Sequence, residues 1–228
     1  MGSMNNPKAL IIDYGMGNLL NIERAIKYLG GEAEVSSSAS MIASAERLIL
    51  PGVGAFGKAM VELNERGICD AIYDFIRKER PLLGICLGMQ LLMTESAEFG
   101  PNKGLDIVSG KVVQLKGRTI DEKRLKVPHI GWNTIEFPEE PDNAAFKGSF
   151  NRDNTILKGI SSGSYFYFVH SYICQPDNQE YVLAESTYGA DRFCSIISNK
   201  SNINGCQFHP EKSGRAGLQI YKNFLFNS

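Results

Sequence analysis

The sequence predicts an α/β fold in which helices flank a doubly wound, mixed and mainly parallel sheet that carries added hairpin strands. Three observations support this prediction. Short apolar runs alternate with stretches of helical periodicity through the first half of the chain, as in βα units. Those runs lack polar alternation, which indicates strands buried on both faces of a parallel sheet. After residue 104, short alternating segments predict hairpins and mixed-sheet strands instead.

The first half of the chain contains the predicted parallel strands and the helices between them. Residues 8–14 form an apolar run, and residues 18–29 repeat apolar side chains at helical spacing until two glycines end the pattern. These two segments make a βα unit. The other elements predicted for this half are strands at 47–50 and 82–87, a helix at 57–80 with a break near Gly67, and a helix at 89–98.

The second half is predicted to consist of strands followed by one helix. An amphipathic pattern over residues 214–226 predicts that helix. Residues 138–164 are rich in Asn, Gly, Ser, Pro and Asp, and are predicted to form a flexible insertion. The alternating segments predicted as strands are 111–115, 126–135, 165–173, 181–186, 193–197 and 203–208.

The composition is typical of a globular protein with a substantial core. Hydrophobic residues make up 43% of the chain and charged residues 21%, which argues against disorder. A formal net charge of -1 provides no electrostatic attraction to nucleic acid or to an anionic membrane. We expect one domain over residues 4–228, and we interpret residues 1–3 as a cloning scar because Gly2 and Ser3 separate two methionines.

The cysteines and histidines argue against a metal site. The five cysteines form no Cys-x-x-Cys pair and there are only three histidines, so we expect neither a metal nor a cofactor. No apolar run approaches the ~18 residues that span a bilayer, and no charged-then-apolar leader is present. An odd number of cysteines fits a reducing compartment, so we expect a cytoplasmic protein.

Residues 84–88 (GICLG) have the G-x-nucleophile-x-G form of a catalytic elbow. They lie where an apolar run ends and a helical pattern begins, and the glycines around Cys86 permit the sharp turn that exposes a nucleophile. A helix amino terminus would also favour the thiolate over the thiol. The alternative is that Cys86 is a small buried apolar residue, the commoner role of a lone cysteine. The other four cysteines lack this setting and are interpreted as structural.

A base for this thiolate is available in His209, at the end of the apolar run 203–208. Residues two apart on an extended segment project to the same side, so the Glu211 carboxylate could orient the His209 imidazole. By itself, a histidine near a strand end is more often a solvated or hydrogen-bonded side chain. Its combination with the elbow favours catalysis.

The glycine-rich segment 51–57 (PGVGAFG) is a candidate oxyanion site. Its glycines allow backbone N–H groups to point at a developing negative charge. Glycines on both sides of Val53 also lower the steric cost of rotating a peptide unit there. No Gly-Lys-Ser/Thr follows, which argues against a phosphate-binding loop, but the segment could be an ordinary turn.

Taken together, the motifs of the chain resemble those of the class I glutamine amidotransferase family. Three of them carry the family resemblance, namely PGVGAFG, GICLGMQ and QFHPEKS in that order. Three others are similar to the branch of that family that serves imidazole glycerol phosphate synthase: IDYGMGNL at 12–19, VPHIGWN at 127–133 and YFVHSY at 167–172. The six motifs are distributed over most of the chain.

This resemblance implies hydrolysis of L-glutamine to L-glutamate and ammonia through a cysteine thioester. Cys86 would be the nucleophile, His209 the acid and base, and Glu211 the carboxylate that holds the imidazole. Ammonia would pass to a synthase partner.

The resemblance also implies an oxyanion hole and a substrate site. The backbone at Val53, Gly54 and Leu87 would form the oxyanion hole. Without the resemblance, Gln90 and Glu98 would be interpreted as ordinary helix surface. The positions implied to hold the amino-acid end of glutamine are Gly52, Gln90, Glu98, Ser171 and Tyr172.

A partner subunit is implied as well, a cyclase or synthase of the β/α-barrel type that forms a heterodimer with this chain. Without the resemblance, the residues concerned would be interpreted as a turn Asn, a core Trp and Tyr, and a solvated Lys. The positions expected to face the partner are Asn18, Trp132, Asn133, Tyr167 and Lys212.

Three alternatives stay open at this point. Because segment 138–164 is long, the partner could instead be a homologous synthase that makes amidino groups on bacterial surface sugars. A cysteine peptidase or hydrolase of the same α/β architecture would share the elbow and the histidine. The third alternative is a non-enzymatic regulatory or scaffold subunit, which the presence of all three triad residues disfavours.

Overall fold

Five parallel strands form the centre of a large mixed sheet. The computed structural model describes residues 6–138, 155–199 and 202–227, so residues 1–3 and most of segment 138–164 lie outside the described residues. Numbered along the chain, the central strands are β1 Lys8–Ile12, β2 Glu32–Ser36, β3 Leu48–Leu50, β4 Leu82–Ile85 and β13 Ile203–Cys206. They lie in the order β2-β1-β3-β4-β13, and each neighbouring pair is parallel.

Helices cover both faces of these strands. Leu10 and Ile12 of β1 pack into one hydrophobic cluster, whereas Ala9 and Ile11 pack into a second cluster on the opposite face. The helices are α1 Leu19–Tyr28, α2 Ala39–Ser44, α3 Phe56–Glu65, α4 Ile68–Ile76, α5 Leu87–Leu91 and α6 Gly214–Phe226. Side chains of α2, α3, α4 and α5 belong to the first cluster, and side chains of α1 and α6 belong to the second. In the described part of the chain, no helix is both long and apolar enough to span a bilayer.

Mainly antiparallel strands extend the sheet beyond β13. They are β5 Met93–Ser96, β6 Asn102–Lys103, β7 Val108–Gln114, β10 Tyr172–Pro176, β11 Val182–Tyr188 and β12 Asp191–Ser198. The order continues from β13 as β12-β10-β7-β5-β6, with β11 beside β12. Only the β5–β7 pair among these described strands is parallel.

A separate antiparallel hairpin, β8 His129–Ile135 with β9 Ser164–His170, lies against the second cluster. Phe166 and Phe168 on its inner face are fully buried and pack on Phe208, with ring centroids 4.0 and 5.5 Å apart. On the outer face, Trp132 and Tyr165 are 56% and 62% exposed. This alternation leaves one face of the hairpin free for a partner.

The predicted fold class is confirmed, and so are most of the predicted elements. The final helix has the predicted bounds, Gly214–Phe226. The predicted helix 57–80 is broken at Gly67, whose φ of +66° separates α3 from α4, although α4 ends at Ile76. Three elements were not predicted, namely β2, α2 and β6.

Two of the predicted elements are wrong. The helix predicted at 89–98 ends at Leu91, and β5 follows. Leu91, Leu92 and Met93 are all fully buried, and three successive buried side chains suit the interior of a mixed sheet better than one stripe of a helix. The strand predicted at 165–173 is two strands, β9 and β10, which belong to different sheets and separate at Ser171.

The strand predicted at 126–135 begins later, at His129. Pro128 lacks the N–H that a sheet ladder requires, so pairing with β9 starts at the residue that follows it.

We expect Gly88→Ala to destabilise the fold far more than Gly67→Ala. A Cβ on Gly88 would lie 1.8 Å from the backbone oxygen of Leu50, whereas one on Gly67 would contact nothing and would cost only the strain of its positive φ. The expected losses are about 3 kcal/mol or more for Gly88→Ala and about 1 kcal/mol for Gly67→Ala. Urea unfolding followed by circular dichroism measures both, and equal losses would contradict the close approach of α5 to β3.

Candidate active site

Cys86 lies in a strained turn between β4 and α5. Its φ and ψ are 54° and −108°, a conformation rare for a non-glycine residue, and Leu87 begins the helix directly after it. Only glycine fits at positions 84 and 88, on either side of this turn. A Cβ on Gly84 would lie 2.8 Å from the oxygen of Gly88, and one on Gly88 would strike the Leu50 carbonyl. The predicted strand-to-helix elbow is therefore present.

Cys86 is 94% buried. Its sulfur has two polar neighbours besides His209, which is described below. It lies 3.7 Å from the backbone oxygen of Val169 and 3.8 Å from Nε2 of Gln207. Gln207 is fully buried and also accepts a 3.1 Å hydrogen bond from Gln90. Gln207 was not predicted as a site residue, although it begins the QFHPEKS motif and precedes His209 by two residues.

The other four cysteines are buried free thiols. Burial raises the pKa of Cys69 to about 11. It also raises the pKa values of Cys174, Cys194 and Cys206 above the usual range of a thiol. These groups stay protonated at neutral pH, as expected of structural cysteines. Among the described residues, no group of three or more His, Cys, Asp or Glu side chains could hold a metal ion.

His209 and Glu211 form the buried histidine–carboxylate contact that the sequence predicts. Nδ1 of His209 lies 2.9 Å from Oε1 of Glu211, and the two side chains are 5% and 1% exposed. The segment between them is a 3₁₀ turn, Pro210–Lys212, and not the extended chain assumed from the sequence. The tight turn folds the carboxylate back onto the imidazole, so the predicted contact forms by a different local geometry.

The surroundings of His209 favour its protonated form. Burial, the largest influence, lowers its pKa, but hydrogen bonds and opposite charges at Cys86 and Glu211 together outweigh burial and raise the pKa to about 10. Because Nδ1 faces Glu211, the other ring nitrogen is the one available to Cys86. A charged imidazole beside the sulfur stabilises a thiolate.

Asn18 contacts this pair from the start of α1. Its Nδ2 lies 3.5 Å from Oε1 of Glu211, the same oxygen that faces His209. The family resemblance assigned Asn18 to the partner surface. Its half-buried side chain lies in the cleft beside the triad carboxylate.

A cavity of about 550 Å³ opens onto the sulfur of Cys86. Five of the site residues expected from the sequence do not line it: Gly52, Trp132, Asn133, Tyr167 and Glu211, the last of which lies behind His209. The expected residues that do line it are Asn18, Val53, Gly54, Cys86, Leu87, Gln90, Glu98, Ser171, Tyr172, His209 and Lys212.

Gln90 and Glu98 are both buried, so the interpretation as ordinary helix surface is wrong for both. Gln90 donates a 3.0 Å hydrogen bond to the backbone oxygen of Tyr172, which ties α5 to β10. Glu98 follows β5 and accepts a 2.5 Å hydrogen bond from the backbone N–H of Phe56 at the start of α3. Both residues line the cleft.

The glycine-rich segment contributes Val53 and Gly54 to the lining of the cleft. Gly52 is enclosed, because a Cβ on it would lie 2.5 Å from the hydroxyl of Tyr14. That hydroxyl donates a 2.8 Å hydrogen bond to the backbone oxygen of Pro51 and anchors the segment. Beyond the anchor, Val53 is 44% exposed and Gly54 has a φ of +103°. Tyr14 was not predicted as a site residue, although it lies within the IDYGMGNL motif.

Comparisons with known proteins identify the family of the chain. A family model described as "Glutamine amidotransferase class-I" matches residues 10–228. The chain belongs to this family. Two solved structures share its fold: "Structure of PurLQS from Thermotoga maritima", with a TM-score of 0.69 and 17% identity over 96% of this chain and 98% of that one, and "Crystal structure of glutamine amidotransferase", with a TM-score of 0.68 and 18% identity over 95% and 96%.

Curated relatives of this amidotransferase are considerably more similar in sequence. The imidazole glycerol phosphate synthase subunit HisH of Chlorobaculum tepidum is 46% identical over 94% of this chain and 97% of its own. The HisH subunit of Caldanaerobacter subterraneus is 45% identical over 94% and 95%, and HisH 1 of Legionella pneumophila is 42% identical over 94% and 97%.

Two of the five residues expected to face a partner of the amidotransferase, Trp132 and Tyr167, lie on the outer face of the β8–β9 hairpin. Trp132 is 56% exposed, so the interpretation as a core Trp is wrong. It packs edge-on against Tyr167, with ring centroids 6.0 Å apart, and Nζ of Lys212 lies 5.8 Å from the centre of the Tyr167 ring. Asn133 donates to the backbone oxygen of Thr187 at 2.9 Å, so its side chain supports the hairpin.

Two further histidines lie buried between the hairpin and the cleft of the amidotransferase. Nδ1 of His129 is 3.1 Å from Nε2 of His170, whose own Nδ1 lies 3.0 Å from the backbone oxygen of Tyr172. The second contact makes Nδ1 of His170 a donor, so Nε2 accepts from His129. Burial lowers the pKa of His129 to about 4 and that of His170 to about 3.

We expect a ¹⁵N NMR titration to show that His209 becomes protonated at a much higher pH than His129 and His170. At about pH 7 the His209 ring should carry a charge, whereas His129 and His170 should stay neutral until the pH falls to about 5. The pKa values of His129 and His170 in the folded state lie below the unfolded value. The unfolded state therefore takes up more protons than the folded state below about pH 6.5. As a result, the contribution of this neutral pair to the free energy of unfolding decreases as the pH falls below that value. Titration of either one near pH 6.5 would contradict the buried pair.

Proposed function

We propose that the chain is the glutaminase subunit of an imidazole glycerol phosphate synthase, which hydrolyses L-glutamine and passes the ammonia to a cyclase subunit in histidine biosynthesis. The observation that carries this proposal is the meeting of Cys86, His209 and Glu211 in one cleft of a class I amidotransferase. The pathway is supported by the relatives, since three of them at 42 to 46% identity are named HisH subunits.

In the first step, the Cys86 thiolate attacks the carboxamide carbon of glutamine and forms a carbon–sulfur bond. The carbon–nitrogen bond then breaks, and protonated His209 gives its proton to the departing ammonia, which leaves a thioester. Water attacks the thioester while His209 accepts its proton, the carbon–sulfur bond breaks, and glutamate leaves. Glu211 keeps the imidazole oriented through both steps.

The developing oxyanion is held by backbone N–H groups. Leu87 supplies one of them at the start of α5, and the Val53-Gly54 peptide supplies the other from the opposite wall of the cleft. Each donor contributes about 3 kcal/mol to the transition state. The positive φ of Gly54 and the exposure of Val53 leave that second peptide free to rotate.

The amino-acid end of glutamine lies in the part of the cleft lined by Gln90, Glu98 and the backbone of Ser171 and Tyr172. The Glu98 carboxylate offers negative charge there for the substrate ammonium group. Gly52 contributes by its small size, because a side chain would displace Tyr14 and the loop that the Tyr14 hydroxyl anchors.

The ammonia acceptor is a cyclase subunit of the β/α-barrel type that forms a heterodimer with this chain. It contacts the outer face of the hairpin at Trp132 and Tyr167, together with Lys212 and the neighbouring Asn18 and Asn133. The chain is a single cytoplasmic domain spanning residues 4–228, and a thioester mechanism needs no cofactor. The names of the relatives favour this acceptor over a surface-sugar synthase.

We expect Cys86→Ala to abolish glutamine-dependent product formation by the complex, because no other described thiol opens onto the cavity. Product formation from added ammonium salts should persist, since the cyclase then needs no glutaminase. Cys69→Ala, which removes a buried thiol on α4, is the matched control and should retain both activities. Residual glutamine hydrolysis above about one thousandth of the wild-type rate would sink the assignment of the nucleophile.

We expect the subunit to turn glutamine over slowly alone and about a hundredfold faster with the cyclase and the ligand of the cyclase. The reason is that a peptide carbonyl at Val53-Gly54 can occupy the oxyanion hole until a partner contacts the rotated form better. Glutamate release is measured for the subunit alone, with the cyclase, and with the cyclase plus its own ligand. Similar rates in all three mixtures would show that no switch exists.

A further inference from the structure

Two buried polar atoms near the catalytic turn have no hydrogen-bond partner among the described residues. One is Oε2 of Glu211, and the other is the hydroxyl of Tyr221. The Glu211 side chain is 1% exposed and Tyr221 is fully buried, so water does not reach either group freely. An unpaired buried carboxylate oxygen or hydroxyl costs free energy that a mutual hydrogen bond would recover.

Helix α6 places the two groups next to each other. It packs so tightly on the turn Pro210–Lys212 that a Cβ on Gly217 would lie 1.9 Å from the Pro210 oxygen. Tyr221 follows Gly217 by four residues and therefore lies on the same face of the helix, one turn further along. The ring belongs to the hydrophobic cluster beneath the sheet, beside Cys206.

The charges around Tyr221 leave its phenol protonated and make Glu211 its acceptor. Burial is the main reason that the pKa of Tyr221 is raised well above its usual value, and the charge of Glu211 and a hydrogen-bonding contact with Glu211 raise it further. Of the two carboxylate oxygens, Oε1 is already occupied by His209 and Asn18. Oε2 is left for the phenol, although the two do not meet the geometry of a full hydrogen bond in this conformation.

We propose that the Tyr221 hydroxyl donates a hydrogen bond to Oε2 of Glu211 in the working enzyme and so positions the carboxylate that orients His209. This inference rests on the proposed glutaminase function. Tyr221 touches neither the substrate nor the reacting atoms, so it is a positioning residue. Held at both oxygens, the carboxylate cannot rotate, and the imidazole keeps one orientation through thioester formation and hydrolysis.

Tyr221→Phe tests this by deleting the hydroxyl while keeping the ring. In the complex with the cyclase, kcat for glutamine hydrolysis should fall by about tenfold with little change in KM, because the imidazole is misoriented while glutamine binding is untouched. Tyr73→Phe, which removes a hydroxyl bonded to the Leu105 oxygen far from the cleft, is the matched control and should change none of these.

A double-mutant cycle with Glu211→Gln separates positioning from packing. Once the carboxylate is replaced, Tyr221→Phe should lower neither kcat nor the urea midpoint of unfolding further, whereas in the wild-type background it should lower both. The unfolding measurement needs no activity, so it tests the contact even if the complex does not hydrolyse glutamine, an outcome that would defeat the proposed function alone.

An unpaired hydroxyl predicts the opposite result for stability. Replacing it with hydrogen would then leave the unfolding midpoint unchanged or raise it, because a buried desolvated group is removed without loss of a partner. That outcome, or equal losses from Tyr221→Phe with and without the Glu211 carboxylate, would overturn the inference.

Discussion

The parallel pairing of β4 with β13 is the constraint on which the active site depends. Its register sets Gly84 opposite Gly205 and Ile85 opposite Cys206, and the next backbone N–H, that of Cys86, donates to the Cys206 oxygen at 2.7 Å. Parallel strands end at the same edge of the sheet, so the two segments leave that edge together, one carrying Cys86 and the other His209. A shift of two residues along either strand would move one of them by more than 6 Å. This pairing alone brings Cys86 and His209 close together, and the other features of the cleft only adjust the distance between them.

Glycines let the backbone approach closely enough to use that pairing. Helix α5 begins one residue after Cys86 and contacts the Leu50 carbonyl through Gly88, which makes the strained conformation of Cys86 the only path from strand to helix. The strained conformation of Cys86 is held in place from both sides, by the hydrogen bond to β13 and by the packing of α5 into the first hydrophobic cluster. Such a site cannot relax by moving the backbone, which suits a nucleophile that must stay aimed at one point.

The sequence was most informative where local pattern and chemistry coincide. The first βα unit, the elbow and the final helix were predicted, because apolar periodicity and paired glycines are local signals. It failed at residues 89–98, where a helix-like pattern yields to a strand because β7 offers a pairing partner that lies further along the chain. Burial of Glu98 and Gln207 was equally invisible, since each is enclosed by segments distant in sequence. The contact between His209 and Glu211 was predicted for the wrong reason, because a 3₁₀ turn after a proline is not apparent from spacing alone.

The backbone of Tyr167 joins the outer hairpin to the catalytic turn. Its oxygen accepts from the His209 N–H at 2.9 Å, and its N–H donates to the hydroxyl of Ser213, which in turn donates to the His209 oxygen at 2.6 Å. The ring of the same residue lies on the outer face, between Trp132 and the ammonium group of Lys212. If a partner subunit docks on this face, as proposed, it contacts a residue whose peptide groups hold both sides of His209. The carbonyl of Val169, two residues along the same strand, lies beside the Cys86 sulfur. The proposed docking face and the candidate active site are therefore joined by a single strand, with no need for a long path across the domain.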